Sequence, residues 1–254
     1  MDRLIYTALN SLANLRGAHI ATAQNLANQN VPGFRRDYLP EGQAFVLEEQ
    51  GDLQARAFQV PEENAAFSRQ AGFLNQTDQP LDIALADKGW FYIRPETGGA
   101  PALTRRGDLQ VASDGILRTG AGDAILNQAL QPIAVPPFRS LTVNEIGTIS
   151  IEPLDGEPGE RVEIATIATT LATGAVLTKG LDGQIRPVDG RPVPAPDQGG
   201  KVLQGVLEGS NVNSTEELIT SIDIQRSFEL NLRLITSAKE LDEAGTRLLR
   251  MPES

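Results

Sequence analysis

The residues able to carry chemistry are few, and their spacing argues against catalysis. One histidine, His19, is the whole imidazole complement of this 254-residue chain, and cysteine is absent. A zinc site needs several nitrogen or sulfur ligands, and nucleophilic triads need a base beside a hydroxyl or thiol. His19 falls in an amphipathic stretch and reads as a helix-face residue. Asp108, Asp114 and Asp123, within "TRRGDLQVASDGILRTGAGDAIL" (104–126), lack the one-three-five spacing and closing glutamate of a calcium loop. "GAGD" lacks the Lys-Ser/Thr of a phosphate loop and precedes no helical pattern. Glu48-Glu49 and Glu62-Glu63 read as solvated carboxylate pairs. Trp90, Phe91 and Tyr92 could floor a pocket, although an alternating aromatic strand reads first as core. The expectation is no catalytic residue, no metal ligand and no cofactor.

Charge narrows the partners. With 33 acidic and 22 basic residues the formal net charge is −11, which disfavours a phosphate backbone and hence nucleic acid. Arg35-Arg36 and Arg105-Arg106 are short pairs and read as solvated surface. No apolar run approaches the ~20 residues of a membrane-spanning helix, so no direct membrane insertion is expected. "MDRLIYTALN" lacks the basic-then-apolar layout of a cleavable leader. Disulfides are excluded by composition.

The elements that would position these residues are punctuated by glycine and proline. Of 24 glycines and 16 prolines, one glycine and no proline fall in residues 1–31, and one of each in 214–254. Both are poor in helix interiors, so the ends can be helical and the middle cannot. Leu4, Ala8, Leu12, Leu15 and Ala18 recur at helical spacing. At the other end Ser214, with Glu217 three positions on, has the form of a capping box. From there Leu218, Ile222, Gln225, Phe228, Leu232 and Ile235 form a stripe. The middle reads as β: "LDIAL" (81–85), "WFYI" (90–93), "LQV" (109–111), "ILR" (116–118), "AIL" (124–126), "TISI" (148–151) and "RVEIATIA" (161–168). Asp114-Gly115 and Asp182-Gly183 are hairpin-type dipeptides between such runs. The domains follow as an N-terminal helix and turn (1–34), an extended arm (35–75), a central β domain (76–206) and a C-terminal helix (207–254). The fold class is α+β. Long N- and C-terminal helices are expected to pair as a coiled-coil-like tube domain, with an all-β domain inserted between them. Helices of this length leave apolar surface that other chains could cover.

Four motifs in order make the chain resemble a known family. "NLANQNVPGF" (25–34) resembles the N-terminal signature of bacterial flagellar rod and hook proteins. "TDQPLDIALADKGWFYI" (77–93), "TRRGDLQVASDGIL" (104–117) and "LEGSNVNSTEELITSIDIQRSFELN" (207–231) resemble three further segments of that family. Gln24 and Val31 depart from its commonest residues. The opening "MDRLIYTALNSL" and the chain length are most similar to a proximal rod member, with a distal rod member as the nearest competitor. A β-domain enzyme or carbohydrate-binding module is the reading from a different class.

The resemblance implies a structural subunit of the basal-body rod, polymerising through its terminal helices into a drive shaft that transmits torque. It implies partnership with proximal and distal rod proteins and copies of itself. It also implies export by the flagellar type III apparatus without a cleavable signal, to the periplasm-spanning rod. The expected assembly interface is Leu12, Leu15, Asn25, Leu26, Ala27, Asn28, Pro32, Gly33 and Phe34. It continues with Asn211, Val212, Asn213, Ile222, Gln225, Arg226, Phe228, Leu232 and Ile235. Asn25 and Asn28 are expected to hydrogen-bond to neighbouring helices in the rod and fix register. Locally, Asn28 or Asn30 would take the left-handed position that ends the first helix, and Gly33 an unusual φ.

Overall fold

The computed structural model describes residues 2–38, 43–47, 56–60, 66–86, 88–157, 159–180 and 182–249. The chain divides into two units: Met1–Ala27 with Asp37–Ala65 and Asn213–Ser254, and Asn28–Arg36 with Ala66–Val212. Glu48-Glu49 and Glu62-Glu63 lie outside the described residues.

In the first unit, helix α1 runs Asp2–Ala27 and helix α2 runs Ser214–Leu249. Their limits follow the glycine and proline distribution. Strands Gln43–Leu47 and Arg56–Val60 pair antiparallel, with Phe45 opposite Phe58, so the stretch read as an extended arm contains a hairpin.

The fold expectation needs correction. The ends are not two matching long helices paired as a coiled coil: α2 has 36 residues and α1 has 26, and a large β-sheet unit lies between them. A coiled coil buries its apolar knobs in a seam. Here Leu218, Ile222, Phe228, Leu232 and Leu241 are exposed, whereas Glu217, Ile224 and Ala238 are buried. The physical reason is that apolar residues of α2 also stand at Ile219, Leu230 and Leu234. They surround more than one face, so periodicity alone could not choose which face would be covered.

The second unit is built of antiparallel sheet. Its largest sheet has eight strands. Along the main path these are Leu177–Lys179, Ile185–Pro187, Ala102–Thr104, Trp90–Arg94, Ala124–Ile125, Leu117–Thr119 and Leu109–Val111; Thr169–Thr170 also pairs with Trp90–Arg94. A three-stranded sheet joins Phe138–Val143, Thr148–Pro153 and Val162–Thr166. Turn chemistry sets the register: Gly115 and Gly183 adopt φ of +76° between paired strands, a value glycine reaches at no steric cost.

The aromatic strand Trp90–Arg94 is central because both of its faces are covered. Successive side chains of a strand point to opposite sides. Phe91 and Ile93 therefore enter one core with Ile83, Leu117, Ile149 and Ile167, while Trp90 and Tyr92 enter a second with Phe67, Leu103, Leu126 and Ile185. Tyr92 is fully buried and donates its hydroxyl to the Pro194 carbonyl at 2.6 Å. Burial raises its pKa to about 12, helped by nearby Asp197 and opposed by a hydrogen bond with Thr170.

Candidate assembly interface

In the β unit, residues that are far apart in sequence converge on one carboxylate. Glu208 is 1% exposed. Its Oε1 pairs with Arg35 Nη2 at 2.7 Å and accepts the Gly72 N–H at 2.9 Å. Its Oε2 pairs with Arg105 through Nη2 at 2.7 Å and Nε at 2.8 Å. Arg105 also donates to the carbonyls of Gly89 at 2.6 Å and Leu85 at 3.1 Å, and Arg35 to that of Gln70. The Arg35 guanidinium lies 5.8 Å from the centre of the Trp90 ring, a cation–π distance. Burial holds Arg35 below its ordinary pKa; Glu208 works against that shift and Arg105 adds to it.

The expectation that Arg35 and Arg105 are solvated is therefore wrong: each is 3% exposed. Adjacent arginines suggested surface, but each pair divides by face. Arg106, beside Arg105, is half-buried and bonds Asp108 at 2.7 Å. Nothing local in the sequence separates the two members. The only available signal was that Arg105 and Glu208 lie in two of the four motifs and Arg35 directly follows a third.

Backbone contacts tighten the same junction. The Gly33 N–H donates to the Glu208 carbonyl at 2.8 Å. Gly33 has φ +67°, and a Cβ there would sit 2.4 Å from the backbone of Arg105, so the glycine serves both conformation and close approach. A Cβ at Gly107 would lie 1.7 Å from the Ile83 carbonyl oxygen, which accounts for glycine in "TRRG". Asn211 Oδ1 accepts the Arg36 N–H at 2.6 Å, and its Nδ2 donates to Gln70 at 2.8 Å. Lys179 donates to the Arg35 carbonyl at 2.8 Å and stands 3.6 Å from the Phe34 ring centre. Asn28 and Asn30 are absent from the positive-φ residues, so the left-handed helix end expected at one of them does not form. The chain leaves α1 instead by turns in which Val31 N–H meets the Asn28 carbonyl and Phe34 N–H that of Val31.

In the helical unit, Asn25 is fully buried. Its Nδ2 donates to the Asp37 carbonyl at 2.8 Å and to Glu217 Oε1 at 3.2 Å. Its Oδ1 accepts the Asp37 N–H at 2.8 Å. The expectation that Asn25 bonds neighbouring subunits is thus corrected: its amide joins α1, the following strand and α2 of its own chain. The capping box is also displaced. Asn213 is the cap, its Oδ1 accepting the Thr215 N–H at 3.1 Å and its carbonyl the Glu217 N–H at 3.0 Å. Asparagine serves well in that position, and Glu217 Oε1 accepts from Asn25.

The remaining expected interface residues divide by exposure. Ile222, Gln225, Arg226, Phe228 and Leu232 on α2 are exposed, as are Ala27 and Asn213. Leu12, Leu15, Leu26, Asn28, Pro32, Phe34, Asn211, Val212 and Ile235 are half-buried, and Gly33 is buried. Among the described residues no group of three or more His, Asp or Glu side chains could hold a metal, and no helix is long and apolar enough to cross a membrane. A cleft of about 1180 Å³ in the β unit reaches Trp90, Arg35 and Arg105; Tyr92 does not line it.

The comparisons with known proteins agree with the arrangement of motifs. Residues 203–248 match the family described as "Flagellar basal body rod FlgEFG protein C-terminal". The chain is 33% identical to the flagellar basal-body rod protein FlgF of Escherichia coli (strain K12), over 99% of this chain and 100% of that one. It is 31% identical to FlgF of Salmonella typhimurium, with the same coverage. It is 28% identical to the flagellar basal-body rod protein FlgG of Borreliella burgdorferi, over 98% of this chain and 100% of that one. End-to-end similarity of this extent places both the helical ends and the clamped β unit in one lineage, and the chain belongs to the flagellar basal-body rod protein family.

Proposed function

We propose that this chain is a structural subunit of the flagellar basal-body rod, of the FlgF or proximal type, and that it assembles with other rod components chiefly through α2. The observation that carries this reading is the exposed apolar surface of α2. Ile222 is 50% exposed, Phe228 40% and Leu232 45%, on a helix that already has a buried side. Covering such side chains in an assembly contributes roughly 1 kcal/mol each, and many copies add up to lasting contacts. The proximal assignment is supported by full-length similarity to FlgF at 33% and 31%, against 28% for FlgG. Contact with copies of itself as well as with proximal and distal rod proteins, export by the flagellar type III apparatus, and residence in the periplasm-spanning rod belong to the same proposal. So does a purely mechanical role, in which torque passes through the stiff β unit and no reaction is catalysed.

The chemistry gives several of the expected interface residues a part. Ile222, Gln225, Arg226, Phe228 and Leu232 meet neighbouring helices directly. Asn25 and Gly33 act from inside, holding α1 and the turn after it in the shape that neighbours read. The test replaces Ile222, Phe228 and Leu232 together by Gln, which keeps helix propensity while removing apolar surface. Purified variant should keep the parent's helix content by circular dichroism. Cells relying on it should lose motility and yield basal bodies with incomplete rods. Normal motility with complete rods would refute assembly through this face.

A further inference from the structure

Both terminal helices carry an exposed ladder that their own chain leaves uncovered. On α1, Leu9, Ala13, Arg16, Ile20, Ala23 and Ala27 are all exposed, on the side opposite buried Thr22 and Asn25. On α2, Leu230, Leu234, Ser237, Leu241 and Ala244 are all exposed, and each leucine is more than half accessible. Steps of four and three alternate in both series, which keeps every member on one face of its helix. At 3.6 residues per turn Phe228 and Leu232 point roughly 160° away from Leu230, so the α2 ladder is a face separate from theirs. The two series match when the helices run antiparallel. Ala27 then stands opposite Leu230, Ala23 opposite Leu234 and Ile20 opposite Ser237, a small residue facing a large one at each rung. Arg16 falls opposite Leu241, beside the exposed carboxylate of Glu240. One chain does not make this contact with itself. There the end of α1 meets the first turn of α2, Asn25 against Glu217, whereas the matched register lies roughly 20 Å further along α2.

We infer that the α1 ladder of one copy receives the α2 ladder of a second copy, antiparallel and in this register. The inference rests on the rod-subunit reading for its setting and deepens it by naming the two faces that meet. Size and charge select the occupant. Ala27 and Ala23 leave hollows that Leu230 and Leu234 fill, and Arg16 pairs across the contact with Glu240. The two ladders are different surfaces present on every copy, so each copy offers one to the neighbour before it and the other to the neighbour after it. Such a head-to-tail contact does not close on two chains, and the axial step of roughly 20 Å keeps it an open series. With five or six residues a side the contact is smaller than the roughly 20–30 a side of a lasting pair. Repetition along the series supplies the rest.

Cysteine is absent from the chain, so introduced thiols report contacts without background. Two purified full-length chains, one carrying Ala23→Cys and the other Leu234→Cys, are mixed and oxidised with copper phenanthroline. Disulfide-linked pairs of unlike chains should form in several-fold excess over pairs of like chains. Ala27→Cys mixed with Leu230→Cys should link equally well. Ala27→Cys mixed with Leu241→Cys should not, because those positions stand three rungs apart, beyond disulfide reach. All five positions are exposed, so each chain keeps its packing, and circular dichroism checks its helix content. Adding Arg16→Glu to the Ala23→Cys chain should cut linking about five-fold, and Glu240→Arg on its partner should restore it. No link between unlike chains, like pairs as abundant as unlike ones, equal linking at matched and mismatched rungs, or no recovery on charge exchange would overturn the inference. The Ile222, Phe228 and Leu232 face takes no part in this test. Rods lost in that triple variant with no link here would leave the rod reading standing, and links here with complete rods in the triple variant would do the reverse.

Discussion

Replacing Glu208 by Gln isolates the buried ionic cluster, because the substitution keeps shape and removes only charge. In the parent, Glu208 holds two guanidiniums at 2.7 Å, with all three side chains between 1% and 3% exposed. At an effective dielectric near 20 and charge centres about 4 Å apart, each pair is worth about 4 kcal/mol before desolvation. Relief of the glutamate's own burial penalty offsets several kcal/mol of that sum. The remainder agrees with the roughly 3–5 kcal/mol measured when one partner of a buried pair is removed. The Gln amide group also turns a donor toward one arginine or toward the Gly72 N–H, which leaves a buried donor facing a donor. For a unit of this size a loss of that order lowers the melting midpoint by roughly 10 °C. Urea and thermal unfolding followed by Trp90 emission reads the right unit, since Trp90 lies in the β core beneath Arg35. Glu145→Gln is the control: its pair with Lys201 at 3.0 Å is solvent-exposed and should leave the midpoint unchanged. A Glu208→Gln midpoint within about 1 kcal/mol of the parent would show that the cluster does not hold the motifs together, and the reasoning would fall.

Three further outcomes follow from the same geometry. Gly33→Ala forces φ +67° on a residue whose Cβ meets Arg105 backbone at 2.4 Å; it should cost more than about 1 kcal/mol, read as a lower melting midpoint, and an unchanged midpoint would contradict the close approach. Asn25→Leu removes three hydrogen bonds, two with the Asp37 backbone and one with Glu217, so about 1–3 kcal/mol of stability should go and the helical signal at 222 nm should melt earlier; equal melting would restore an outward role for Asn25. Asp182 is held below its ordinary value of 3.8, first by its hydrogen bond with Arg186. A depressed carboxylate adds stability above its unfolded pKa and loses it as pH falls through the folded value. Arg186→Gln should therefore flatten a small part of the acid limb below pH ~4, a few tenths of a kcal/mol because the pair is partly exposed, and an acid limb identical to the parent's would exclude that contribution.

Much of the architecture was legible from local chemistry. Helix limits followed glycine and proline, because both act on the backbone of the residue that carries them. Asp114-Gly115 and Asp182-Gly183 marked turns for the same reason. The aromatic strand was visible in "WFYI", and its burial on both faces agreed with its near-continuous apolar run. Strands such as Ala102–Thr104 and Val202–Gln204 were not visible, since three residues carry too little periodicity. The Phe138–Val143 strand was hidden because Arg139 and Ser140 stand side by side and break the alternation, at a bulge between Phe138 and Ser140.

What the sequence by itself determined, then, is where the backbone can be helical, where it must turn, and to which family four ordered motifs belong. The tertiary structure alone decided what those motifs are for. Arg105 and Glu208 are 103 positions apart, and no spacing rule connects them; only the sheet's register brings their side chains to 2.7 Å. Likewise Asn25 and Glu217 are 192 positions apart, and only the fold brings them within hydrogen-bond reach. Charge and polarity in a sequence state what a side chain can bond, but burial, which sets whether it must, is a property of the folded surface around it. That is why arginines read as solvated became the buried centre of the β unit, and why an asparagine read as facing neighbours is sealed inside its own chain.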